Sequence, residues 1–150
     1  MTNVSLVHLE RYLEETRPFP RLLPEEPWKR CKVREVVETI NSGIQPLQNA
    51  PVVAAIAGSD VDRRTKWAAD VISKGLSTLE RQAEENLAHD FLFDWSTQPT
   101  LAEVFLVPQL YNASTRYGIG LSAYPRIARV FNHMMTNFEA FRATMPPSSL

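Results

Sequence analysis

Cysteine is almost missing from this sequence: Cys31 stands alone, which excludes an internal disulfide and fits a reducing compartment. Glycine is scarce, five residues in all, and no Asn-Gly or Asp-Gly pair offers a tight hairpin turn. Charge of one sign is lacking too. Sixteen basic residues against 17 acidic ones leave a formal net charge of -1. Without a global field, neither nucleic acid nor an anionic membrane surface is an expected partner. The longest apolar stretch, Ala50 to Ala57, is far too short to span a bilayer. The first residues have neither a basic n-region nor an uninterrupted apolar h-region, so no signal peptide is read and a cytoplasmic location is expected. Phosphate-binding glycine loops, His-Glu-x-x-His and Cys-x-x-Cys are all missing. His8, His89 and His133 are far apart in sequence and read as surface or packing residues, so no metal site is expected.

What remains is a chain of 150 residues with 44% hydrophobic and 22% charged composition, enough for one folded domain. Helical periodicity dominates it. Leu6, Leu9 and Leu13 give a short amphipathic helix that Arg17-Pro18 ends. Residues 18–27 carry four prolines and predict an extended linker rather than a core element. Pro27 suits a first helical turn, and Val33, Val36, Val37 and Ile40 mark the buried stripe that follows. The segment Ile44 to Ala57 holds Pro46 and Pro51 and must bend. Ser59 or Asp60 can cap a long helix from Asp60 to about Glu85, with Trp67, Ala68, Val71, Ile72, Leu76 and Leu79 on one face. Gly75 inside that face predicts close approach by another helix. Thr100 and Glu103 have capping-box spacing before a very apolar helix, and Pro125 opens a last long helix through Met135. The tail after Arg142 reads as loose. The fold class is all-α, a helical bundle.

Few residues carry legible chemistry. Cys31 sits among Lys29, Arg30, Lys32 and Arg34, which would favour a thiolate, but it reads as a small, half-buried helical residue. The pairs Glu14-Glu15, Glu25-Glu26 and Glu84-Glu85 are adjacent, so their side chains diverge on a helix and form no acid/base dyad. Gln45, Gln48 and Asn49 punctuate the proline-kinked segment, where an irregular backbone can open a ligand cavity. Arg116, close to Asn112 and Tyr117, ends the apolar helix. Twelve of the sixteen basic residues are arginine, the side chain suited to gripping carboxylates. Capping amides and a surface arginine are the plainer alternative for both spots.

The runs Tyr12-Leu-Glu-Glu-Thr-Arg-Pro18, Arg21-Leu-Leu-Pro24 and above all Gly43-Ile-Gln-Pro-Leu-Gln-Asn49 resemble zeta-class glutathione transferases, the maleylacetoacetate isomerases. Trp67-Ala68, Thr100-Leu-Ala-Glu103, Leu106-Val-Pro-Gln109, Asn112-Ala113, Arg116-Tyr-Gly118 and Tyr124-Pro125 continue the likeness in order over nearly the whole chain. The resemblance implies the all-α C-terminal domain of a two-domain enzyme, at residues 28–145. Residues 1–17 then correspond to a remnant last helix of the thioredoxin-like domain, 18–27 to a linker and 146–150 to a loose tail.

Family function, carried over by position, is glutathione-dependent cis–trans isomerisation of an unsaturated acid or a specialised-metabolite intermediate. Gln45, Asn49, Ala50 and Pro51 match positions near glutathione. Arg116 matches the arginine for the substrate carboxylate, with Asn112 beside it. A homodimer is implied as well. Several departures stand against the pattern, the missing Gln/Glu-Ser pair and the diverged end at Met145-Pro-Pro-Ser148 among them. The Ser-Ser-Cys run that activates the thiol is absent, an extra residue separates Asn112-Ala113 from Arg116, and Glu103 replaces the usual Asp. A catalytically inactive helical binding module derived from the same fold is the alternative, because the first helix presents an apolar face made to cover a sheet.

Overall fold

The computed structural model describes residues 6–17, 19–83 and 89–146, and side chains from Leu9 onward. It is helical throughout, with no strand among the described residues. The all-α expectation is borne out.

Helix α1 (Leu6–Thr16) leads through an irregular segment to α2 (Pro27–Asn41), which begins at the expected proline. The two prolines of the next segment divide it into α3 (Gln45–Gln48) and α4 (Ala50–Ala57), each with proline in its first turn, where the missing N–H costs nothing. Gly58, at φ +68°, ends α4 in the left-handed region that favours glycine. Asp60 then caps α5 (Val61–Gln82) by accepting from the Arg63 N–H at 3.0 Å. Helix α6 (Leu101–Tyr117) opens with the predicted capping box. A 3-10 turn at Leu121–Ala123 leads into α7 (Pro125–Asn137) and α8 (Glu139–Thr144). The last helix is therefore two pieces, broken at the extended Phe138.

Val33, Val36, Val37 and Ile40 of α2, Ile72, Leu76 and Leu79 of α5 and Ile127, Val130 and Met134 of α7 close around α6. Helix α6 buries Leu106, Val107, Leu110 and Ala113 together with Glu103 and Gln109, on more than one face, as expected of a central helix. Glu80 tethers α5 to α7. Its carboxylate accepts from the backbone N–H groups of Arg126 and Ile127 at 3.0 Å, neutralising the positive end of α7.

Four expectations need correction. Leu23, assigned to the linker, is a core residue, and the Leu101 N–H donates to the Leu22 carbonyl at 2.9 Å, so this stretch is sewn to α6. What approaches Gly75 is the Ile44 side chain from the α2–α3 corner, not another helix. Cys31 is exposed rather than half-buried. Pro146, counted with the loose tail, is held by the Tyr111 hydroxyl, which donates to its carbonyl at 2.7 Å. Glu84 and Glu85 lie outside the described residues, as do the side chains of Leu6 and His8.

Two acids of helix α1 face the bundle, while Leu9 and Leu13 are exposed. The Leu22 N–H donates to Glu14 at 3.0 Å, and Glu10 is buried with Oε1 lacking a hydrogen-bond partner among the described residues. Burial pushes the Glu10 carboxyl above its ordinary value of 4.5; Arg34 opposes this, Glu14 adds to it and Arg11 opposes it. A raised folded pKa means the folded chain binds the proton more tightly. Its stabilising contribution is complete below pH 4.5 and is lost as pH rises through the folded value. Glu10→Gln should therefore raise the melting temperature at pH 7 and give no advantage at pH 4. An equal gain at both pH values would show that the charge is not the cause.

Candidate functional site

The α3–α4 corner, the first turn of α5 and the last turn of α6 meet around a cleft of about 220 Å³. Gln48, Ala50 and Val53 line it from the corner, Arg64, Thr65 and Ala68 from α5, and Arg116 and Tyr117 from α6. Local sequence explains the convergence. Pro46 and Pro51 force the short α3 and the turn at Asn49, Asp60 fixes where α5 starts, and Gly118 at φ +63° ends α6 just past Arg116.

The corner is held from both sides. Gln48 Nε2 donates to Gln109 Oε1 at 3.1 Å and Gln109 Nε2 returns the bond to Gln48 Oε1 at 3.2 Å, a closed amide pair joining α3 to α6. Trp67 Nε1 donates to the Leu47 carbonyl at 3.1 Å and joins the corner to α5. Arg116 is exposed, with its guanidinium 5.6 Å from the centre of the Tyr117 ring. Arg64 is half-buried and its Nε donates to the Gly58 carbonyl. Among the described residues the lining contains no Asp or Glu, so the cleft presents two guanidinium groups without a lining carboxylate.

Of the residues singled out in the sequence, the cleft brings together Gln48, Ala50, Arg116 and Tyr117. Gln45, Asn49 and Pro51 sit on the same corner outside its lining, and Asn112 lies about one turn before Arg116 on α6, also outside it. The Gln45 and Asn49 side chains make no hydrogen bond among the described residues, and Asn49 does not cap α4. Arg64, which lines the cleft, and Gln109, which lies outside the lining and holds Gln48, were not foreseen. Arg64 had one signal in the sequence: it stands in the first turn of α5, where the helix dipole disfavours a cation. Gln109 had none, since its partner is 61 residues away.

His133 is a packing residue as read, its Nδ1 3.5 Å from Asp90 and its ring edge-on to Phe91 and Phe138. Among the described residues no group of three His, Cys, Asp or Glu side chains is placed to hold a metal ion. Nor is any helix there long and apolar enough to cross a membrane.

No protein-family model matches the chain. It is 38% identical to the maleylacetoacetate isomerase of Mus musculus over 146 residues, 97% of this chain and 64% of that protein. It is 37% identical to the maleylacetoacetate isomerase of Dictyostelium discoideum over 141 residues, 93% of this chain and 62% of that protein. The chain thus spans a little under two thirds of the length of these curated relatives. Its fold superposes with a TM-score of 0.86 on the crystal structure of the maleylacetoacetate isomerase of Anaeromyxobacter dehalogenans, 36% identical, covering 97% of this chain and 66% of that one. That structure has bound dicarboxyethyl glutathione and citrate in its active site. The chain belongs to the zeta-class glutathione transferase family, the maleylacetoacetate isomerases, and its helices have the fold of that family's C-terminal domain.

Proposed function

We propose that this chain works in glutathione-dependent cis–trans isomerisation of an unsaturated carboxylate, as its helical, substrate-side domain. In this reading residues 28–145 are that domain, 18–27 its link and 1–17 the last helix of a thioredoxin-like domain, with 146–150 a tail. The observation that carries the reading is the cleft itself, where the Gln48–Ala50 corner and Arg116 converge with no acid among them.

The Arg116 guanidinium takes the substrate carboxylate in a forked, charge-assisted pair and fixes the double bond in place, so that positioning lowers the barrier to thiol addition. The Gln45 and Asn49 amides, uncommitted to partners among the described residues, suit the peptide groups of a tripeptide, and Ala50 and Pro51 leave space beside them. Glutathione, when bound, supplies the thiol that adds reversibly to the conjugated double bond and departs once the carbon–carbon axis has turned. A cytoplasmic homodimer is the assembly we infer for the working protein.

Calorimetric titration with glutathione tests the cofactor side. The 150-residue chain should give heat at millimolar concentration, and Gln45→Ala with Asn49→Ala should lose it. No heat from the unaltered chain would sink the assignment of Gln45 and Asn49. A second reading, a catalytically inactive helical binding module, draws on one observation: Leu9, Tyr12 and Leu13 of α1 are 45%, 61% and 43% exposed. Isomerase turnover abolished by Arg116→Ala would decide against it.

A further inference from the structure

Among the described residues five basic side chains have an acid within ion-pair distance: Arg21 has Glu25, Lys29 has Glu26, Lys32 has Glu35, Lys66 has Asp70 and Arg126 has Glu80. Arg64 and Arg116 are not among these five. Both line the 220 Å³ cleft, and neither forms an ion pair with a carboxylate among the described residues. Arg64 also stands in the first turn of the 22-residue α5, adding its charge to the positive end of the helix dipole. Asp60 and Asp62 answer the helix dipole itself, but neither lines the cleft. Two cations lining one cavity repel each other unless an anion lies between them.

Arg64 is also prepared for such a ligand. Its Nε is spent on the Gly58 carbonyl, which fixes the plane of the guanidinium and leaves both terminal nitrogens to donate. At 220 Å³ the cleft is smaller than the roughly 300–1,000 Å³ of sites for large ligands, and it fits a short diacid.

We propose that Arg64 is a second carboxylate-binding residue which, with Arg116, makes the cleft select a dicarboxylate over a monocarboxylate. The proposal rests on the reading that Arg116 takes the first carboxylate; Arg64 adds the specificity for the second. A single arginine would accept either acid with similar affinity. Two arginines reward only the ligand that reaches both.

Side-chain Nε–Hε NMR on the unmodified 150-residue chain tests this, with succinate and propionate as probes. Succinate should shift the Arg64 and Arg116 signals along one saturation curve, and should bind about tenfold more tightly than propionate. Arg64→Gln should remove most of the preference for succinate, lowering succinate affinity far more than propionate affinity. Arg64→Lys, which keeps the charge but loses the Gly58 anchor, should recover only part of the difference. If the Arg116 signal moves with succinate while that of Arg64 stays still, the specificity role of Arg64 is overturned and the function proposed for Arg116 stands. If neither signal moves at saturating probe, both fall.

Discussion

Glu103→Ala should destabilise the chain by about 3–5 kcal/mol, the largest loss expected of any single substitution here. Glu103 is fully buried, and its two oxygens hold three donors. Oε2 accepts from the Thr100 N–H and the Thr100 hydroxyl, each at 2.7 Å, and Oε1 accepts from the Leu92 N–H at 2.8 Å. Truncation at Cβ leaves two buried backbone N–H groups without partners, at about 1–3 kcal/mol each, and weakens the capping box of α6 by about 1 kcal/mol more. For a domain of this size the melting temperature should fall by roughly 10–15 °C, and a fall under about 3 °C would refute the assignment. Glu103→Asp separates the two jobs. One methylene shorter, it still reaches the Thr100 N–H but not that of Leu92. Fast hydrogen exchange at Leu92 with Thr100 still protected is the expected result.

The two halves of that carboxylate's work also mark what the sequence can and cannot disclose. The Thr100–Glu103 box is legible because both partners lie within one helical turn, where spacing dictates geometry. The bond to Leu92 is not, because it closes across a loop. The same division runs through the site. Pro46 and Pro51 announce the broken corner, and Asp60 announces the start of α5, since each acts on its own backbone. The Gln48–Gln109 pair depends on α3 and α6 meeting in space, and no local rule brings together residues 61 apart. Arg64 is legible as a residue off the buried stripe of α5, but periodicity is silent on what faces it. Leu23 shows the reverse failure. Four prolines in residues 18–27 dominate the composition and predict a linker, while one leucine finds the core.

Gly75→Val should cost about 2–3 kcal/mol, although valine is the better helix former by a few tenths. A Cβ at Gly75 would overlap Cγ1 and Cδ1 of Ile44, and Ile44 is fully buried, so it has no free volume into which to turn. Ile44 is also the residue from which α3 starts. Its N–H donates to the Ile40 carbonyl at 3.2 Å, and its own carbonyl accepts from the Gln48 N–H at 3.2 Å. Displacing it therefore moves Gln48, and with Gln48 the amide pair to Gln109 that shapes one wall of the cleft. Two measurements follow from this chain of contacts. In a double-mutant cycle, Gly75→Val with Ile44→Ala should be about 2 kcal/mol more stable than the sum of the two single losses, because the added methyls enter the space the isoleucine vacates. Strict additivity would mean that Ile44 is not what Gly75 accommodates. In Gly75→Val alone, the side-chain amide resonances of Gln48 and Gln109 should move together. If stability drops while those resonances stay fixed, the glycine serves only the core. If both change, the same close approach that packs α5 against the corner also sets the geometry of the cleft.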